Sequence, residues 1–165
     1  MIIGDGDIGV ALRGALRPAD DGFIFFASGV SNSQETRPEE YEREVKLLMR
    51  QDKEKHLVYF STLSVFYGDS PYVEHKKFME SKVQTEFEKW TIVRLGNITF
   101  GKNPHTLINY LRAHPEAEIQ DVYRYLIDKE EFLHWIELIP QWSCEMNITG
   151  RMLKVQEIKE QYANT

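Results

Sequence analysis

The chain has 165 residues, of which 42% are hydrophobic and 28% charged, with a net charge of −6. That is one domain's length, enough to bury a real core, and the composition excludes fibrous repeats and disordered chains. The acidic balance argues against sequence-independent nucleic-acid binding. A single cysteine, Cys144, excludes a disulfide scaffold or a cysteine-rich zinc site and fits a reducing compartment. No apolar run approaches the roughly 18 residues of a membrane span, and no basic-then-apolar leader is visible, so the cytoplasm is the expected location.

Short apolar runs alternate with amphipathic segments along the chain. Residues 1–3 are apolar and stop at a glycine cluster. Ile8, Leu12 and Leu16 share one face of a helix predicted over 8–16, which Pro18 and the Asp20-Asp21-Gly22 turn would end. The continuous apolar run 23–27 (FIFFA) reads as a strand covered on both faces. A polar loop follows, then a helix over 39–51 with Tyr41, Val45, Leu48 and Met49 as its apolar stripe. Residues 57–60 form a second buried strand with a Ser/Thr-rich end, and 71–87 a long helix. The spacing then predicts a strand over 91–95, a helix over 105–113, a strand over 123–127 and a helix over 130–139. The tail has an extended stretch at 146–148 and a helix over 155–162. Strand–helix alternation of this kind gives an α/β fold with a parallel sheet and helices on both faces. The loop at 100–104 is the natural junction between an α/β core, residues 1–101, and a C-terminal cap, residues 102–165, packed on it as a single unit.

Gly4-Asp5-Gly6-Asp7-Ile8-Gly9 fits G-x-G-x-x-G between a strand and a helix, the context that motif requires. The first glycine allows a tight turn and the second lets a pyrophosphate approach the backbone. The third lets helix and strand pack closely, while the helix N-terminus offers N–H donors. Asp5 and Asp7 put negative charge where a pyrophosphate would lie, with helix capping the ordinary role for Asp7. No acidic residue stands about 20 positions downstream, where a ribose hydroxyl would need it.

Tyr72 and Lys76 are four apart, one turn along the same helix face. An ammonium beside a phenol favours the phenolate and makes the tyrosine a usable acid/base. Ser61, Thr62 and Ser64 sit at the end of the preceding strand, where a hydroxyl could bind the same substrate oxygen.

Several stretches carry a family pattern in the right order. They are the glycine turn at 1–9, FIFFASGVSNS at 23–33 and VYFSTLSVFYG at 58–68. YVEHKKFME at 72–80 follows, then WTIVRLGNITFG at 90–101, RYLID at 124–128 and MNITGRMLKVQEIKEQ at 146–161. In these the chain resembles the extended short-chain dehydrogenase/reductase family, the NAD-dependent epimerases and dehydratases that act mostly on nucleotide sugars. The resemblance implies a Rossmann-like fold and an NAD or NADP cofactor held by Gly4, Asp5, Gly6, Asp7, Ile8 and Gly9. Ala27, Ser28, Gly29 and Ser61 would border it and Asn97 would line its nicotinamide end. Tyr72 would be the acid/base on a sugar hydroxyl or keto group. Lys76 would lower the tyrosine's pKa and hold the nicotinamide ribose. Thr62 or Ser64 would be the partner hydroxyl, Thr62 being preferred. The resemblance further implies a homodimer through the Tyr72 helix.

The chain also departs from that pattern. The family's second and third strands, which build the adenosine pocket, are missing, so the sheet is reduced in strand number and cofactor binding would be weak or absent. Two functions stay open. One is a nucleotide-sugar epimerase, dehydratase or reductase. The other is a non-catalytic binding or subunit-association protein that has lost the adenosine half of the site. Elsewhere, Glu39, Glu40, Glu42 and Glu44 read as an acidic, solvated helix start. The five histidines read as surface residues, His75 being the only one beside the site. Trp90, Trp135 and Trp142 read as core or cap packing. No Cys/His/Asp cluster points to a metal.

Overall fold

The computed structural model describes residues 1–16 and 22–164. Pro18 and the Asp20-Asp21 pair, expected to end the first helix, lie outside them. In chain order the elements are β1 (Ile2–Ile3), α1 (Asp7–Arg13), β2 (Phe23–Phe26), α2 (Pro38–Met49) and β3 (His56–Thr62). A 3-10 turn (Leu63–Phe66), α3 (Pro71–Glu86), β4 (Lys89–Leu95), β5 (Asn97–Ile98) and α4 (Leu107–Ala113) follow. The chain closes with β6 (Tyr123–Ile127), α5 (Lys129–Glu137), β7 (Cys144–Ile148), β8 (Arg151–Lys154), α6 (Val155–Ile158) and a π-helical turn (Lys159–Ala163).

Strands β1, β2, β3, β4 and β7 form one sheet in that order, every neighbouring pair parallel. The unbroken apolar runs are explained by its two covered faces. On one face Ile24, Phe26, Leu57, Tyr59 and Ile92 pack with Leu48 of α2 and with Met79 and Val83 of α3. On the other, Phe25, Val58, Val93, Leu95 and Ile148 pack with Ala11 and Leu12 of α1 and with Phe132 and Ile136 of α5. Each such side chain taken fully from water stabilises the fold by roughly 1.5–3 kcal/mol. Alternate residues of each strand thus serve opposite layers, as a doubly covered parallel sheet demands.

Only nine residues, 14–22, separate α1 from β2. Among the described residues β1 is an edge strand of this sheet. The segment after 101 divides between two layers. α5 and β7 complete the main sheet and its core. β6, flanked by β5 (parallel) and β8 (antiparallel), makes a small second sheet. Ile108, Leu111, Leu126, Val155 and Ile158 form its apolar centre. At the β7–β8 turn Gly150 has φ +64°, and a Cβ there would meet Leu126 O at 1.9 Å, so only glycine lets the two sheets approach. β5 and β8 escape a periodicity reading because two and four residues are too short to show alternation.

Three sequence expectations change. Trp142 is 69% exposed and Trp135 40%, so neither is core; only Trp90 packs against an apolar cluster. His56 and His75 are buried, not on the surface. Glu44, expected on a solvated face, is fully buried.

Candidate functional site

The three glycines of the N-terminal turn do three different things. Gly4 has φ +111°, and a Cβ there would sit 2.4 Å from Ala27 O, so it allows the turn and the approach to β2. Gly9 lies against Gly4 O, where a Cβ would come within 2.3 Å, which lets α1 pack on the turn. Gly6, by contrast, has nothing within 4 Å of its Cβ position. Asp7 does not cap α1; Gly6 is the N-cap, with no side-chain bond. Asp7 instead accepts from the backbone N–H groups of Lys102 (2.9 Å) and Asn103 (3.0 Å), tying the β5–α4 loop to the turn. Gly101, at φ +96°, is needed there because a Cβ would overlap Asp7 Cγ. Asp5 is exposed and pairs with Arg13 at 2.9 Å.

A cleft of about 730 Å³ opens over this turn, at the carboxyl ends of β2, β3 and β4, closed on its far side by the C-terminal segment. That is the edge where open α/β sheets bind ligands. Asp5, Gly6, Asp7, Ile8, Ala27, Ser28 and Gly29 line it, as do Ser61, Thr62, Ser64, Tyr72, Lys76 and Asn97. Gly4 and Gly9 stand behind the lining.

α3 starts cleanly: Ser70 Oγ accepts from Val73 N–H at 3.3 Å and Pro71 occupies the first turn. This start brings Tyr72 and Lys76 to the cleft. No hydrogen bond engages the Tyr72 hydroxyl among the described residues, leaving it open to a ligand. The Lys76 ammonium lies 5.7 Å from the centre of the Tyr72 ring. It is committed elsewhere, donating to Glu44 Oε1 (3.3 Å) and to the Tyr59 hydroxyl (3.2 Å).

Glu44, from α2, is the residue the sequence reading missed. Its Oε1 also accepts from Tyr59 O–H (2.5 Å), and its Oε2 accepts from Val30 N–H (2.8 Å) and meets His75 Nε2 (2.9 Å). His75 in turn stacks on Tyr41, ring centres 4.3 Å apart. Burial alone would raise the Glu44 carboxyl; Lys76 and the hydrogen bonds from His75, Tyr59 and Val30 overcome it and hold the group at about 2. Burial first, and the Glu44 charge second, push the Tyr72 phenol well above the ordinary tyrosine range. The expected lowering of Tyr72 by Lys76 is therefore not what this arrangement produces, because the phenol is buried and, second, a carboxylate stands beside the cation. A signal for Glu44 does exist: it lies three residues after Tyr41 and four before Leu48, on the helix's apolar stripe.

The three hydroxyls differ. Ser61 is buried and donates to Glu80 Oε1 at 2.6 Å, so its proton is taken. Thr62 Oγ1 accepts from Ser64 N–H at 3.1 Å, which uses a lone pair and leaves its proton to donate. Ser64 Oγ bonds the Tyr67 hydroxyl at 3.3 Å. Asn97 anchors its amide on Tyr125 O at 3.1 Å, and Ser28 is held by the Arg43 guanidinium at 3.1 Å. Glu80, the last residue of the Y-x-x-x-K-x-x-x-E pattern, faces inward. Both of its oxygens take Arg94 of β4, at 2.9 and 2.6 Å, and Arg94 also reaches Glu145 (3.0 Å) and Asn147 (3.2 Å) of β7. Among the described residues no group of three metal-ligating side chains occurs, and no helix is long and apolar enough to cross a membrane.

No family model and no curated protein matches this chain. Solved structures do. The enzyme WbmG of Bordetella bronchiseptica, in complex with NAD, superposes with a TM-score of 0.61 at 15% identity over 84% of this chain and 55% of its own. UDP-glucose 4-epimerase of Thermus thermophilus, in complex with NAD, gives 0.59 at 16% identity over 95% and 65%. RMD of Pseudomonas aeruginosa, complexed with NADPH, gives 0.61 at 17% identity over 88% and 65%. This chain thus spans little more than half to two thirds of these proteins. With a parallel sheet covered on both faces and a glycine turn opening its first helix, it has the Rossmann-like fold of these NAD- and NADPH-bound proteins and of UDP-galactose 4-epimerase.

Proposed function

We propose that the cleft binds NAD or NADP together with a nucleotide sugar, and that the chain acts as an epimerase, dehydratase or reductase with Tyr72 as its acid/base. The observation that carries this is the convergence of Tyr72, Lys76, Thr62 and Ser64 on the cleft over Gly6, the glycine that leaves open space. The chain's residues fit the nicotinamide end of such a cofactor: Gly6 for the pyrophosphate, Ala27, Ser28 and Gly29 along its edge, Asn97 at the ring. They fit the adenosine end poorly, since among the described residues the sheet ends at β1. When bound, the nicotinamide supplies or accepts the hydride. The protein's part is to hold and move a proton. Thr62, with Ser64 as the other candidate, donates to the substrate oxygen, and Tyr72 exchanges that oxygen's proton. The nucleotide-sugar assignment is supported by WbmG bound to NAD and UDP. Pairing of two copies through α3 belongs to the same proposal and is supported by Phe78, an α3 residue that is half exposed.

Fluorescence titration of NADH and NADPH into the protein tests binding, and turnover of UDP-sugars tests chemistry. Binding is expected, with Tyr72→Phe keeping it while abolishing turnover. The nine-residue connection between α1 and β2 favours a second reading, a non-catalytic binding or subunit-association protein. Absence of any shift at millimolar cofactor would establish that reading over the first.

A further inference from the structure

Beside the proposed acid/base lies a carboxylate that the Tyr-Lys chemistry does not use. Glu44 is fully buried, reaches the site from a different helix, and gathers four donors. Two of them, Tyr59 O–H and Val30 N–H, are fixed by the sheet and the loop after it. The other two, His75 and Lys76, are neighbours on α3. Lys76 has the reach to point elsewhere, because its ammonium ends a flexible stem against Gly29. A Cβ on Gly29 would come within 2.7 Å of Lys76 Nζ and 3.0 Å of Glu44 Oε1, so the missing side chain is what lets cation and carboxylate meet at the cleft wall.

We infer that Glu44 is a positioning residue that draws the Lys76 ammonium away from Tyr72 and so sets how readily that tyrosine gives up its proton. This rests on the reading of Tyr72 as the acid/base. The geometry makes the consequence of removing the charge specific. A glutamine at 44 can keep its oxygen on Val30 N–H and His75 and turn its amide toward the Tyr59 oxygen, which can accept. Lys76 then has no anionic partner and is free to turn along the cleft toward the Tyr72 phenol.

The test is a pH titration of Tyr72 followed by NMR in protein carrying 13C-labelled tyrosine, with Tyr72→Phe assigning the signal. In the native protein the signal is expected to stay phenolic up to the alkaline limit of the folded state. In Glu44→Gln its midpoint is expected to fall by about one pH unit or more, as the loss of a nearby buried charge implies. Adding Lys76→Met to Glu44→Gln is expected to remove most of that fall. Loss of the Glu44 charge lowers the midpoint by itself, so the reporting quantity is the part of the fall that Lys76→Met removes, and a fall that survives Lys76→Met undiminished overturns the inference. Coincident Tyr72 titrations in native and Glu44→Gln protein, with the far-UV spectrum unchanged, overturn the inference. If Glu44→Gln does not fold, Glu44→Asn, which is one methylene shorter and has room for a water, carries the same measurement. Failure of both to fold also overturns it, because the carboxylate is then simply part of the core. No ligand enters the titration, so absent cofactor binding would sink the functional reading while leaving this result to stand or fall separately.

Discussion

Two carboxylates are buried on neighbouring helices of this molecule, and they do opposite work. Glu80 on α3 meets the planar guanidinium of Arg94 through both oxygens, and Arg94 continues to Glu145 and Asn147 on β7. Every partner there is a strand residue, Arg94 of β4 and Glu145 and Asn147 of β7. Glu44 on α2 holds a lysine and a histidine from α3, a phenol and a backbone N–H, and two of these residues, Lys76 and Val30, line the open cleft. A fork-shaped cation locks one geometry, whereas a point charge on a long stem leaves two available. Equal burial therefore signifies architecture in the first case and an adjustable site in the second.

The strongest challenge to that contrast is Arg94→Met. It leaves Glu80 buried without its cation and is expected to cost about 3–5 kcal/mol, read from the urea midpoint, while Arg94→Met with Glu80→Leu recovers much of it. A double variant no more stable than the single one would show that the pair is not the lock described. Next is the acid limb. The Glu44 carboxyl in the folded protein, at about 2, lies below its ordinary 4.5. Its stabilisation is therefore complete above pH 4.5 and lost as pH falls toward 2, amounting to about 3 kcal/mol at roughly 1.4 kcal/mol per tenfold change in proton affinity. Glu44→Gln is expected to flatten that limb between pH 4.5 and 2; an unchanged slope would assign the acid sensitivity to other groups.

Much of the main sheet was legible in sequence because β2 and residues 57–60 of β3 are unbroken apolar runs and α1, α2 and α5 carry apolar stripes. The cleft residues were legible as a glycine turn and a Tyr-Lys spacing. What escaped was partnership between distant segments. Nothing local to Glu44 announces that Val30, Tyr59, His75 and Lys76 will surround it. Asp7, read as a cap, binds a loop more than ninety positions away. His56 sits at the foot of β3, bonded to Thr91 Oγ1 at 2.7 Å and facing Phe23, so burial lowers its pKa and hides it from any surface reading.

Smaller effects sharpen the contrast at the cleft itself. Gly29→Ala places a methyl against the Lys76 ammonium; if that cation has slack, it moves at a cost within about 1 kcal/mol. A loss several times larger, measured by thermal melting, would mean that the Glu44 cluster is as rigid as the Glu80 one. Gly6→Ala is the mildest, expected within about 0.5 kcal/mol of native stability because its Cβ meets nothing, yet it should weaken NADH binding. Unaltered NADH affinity in Gly6→Ala would remove the glycine turn from the proposed site.

The return of β7 to the sheet has a consequence for how the molecule comes apart. Residues 96–143, which carry one wall of the cleft, are a long excursion between two strands that pair side by side, Thr91 with Cys144 through Leu95 with Ile148. Closing such a loop costs only slowly more as it lengthens, so the excursion is tolerated, but its ends are tied to the centre of the main core. The two walls should then melt together in a single cooperative transition. Anything gripped between them will raise that one melting temperature by an amount that grows with the logarithm of its concentration once it exceeds the dissociation constant.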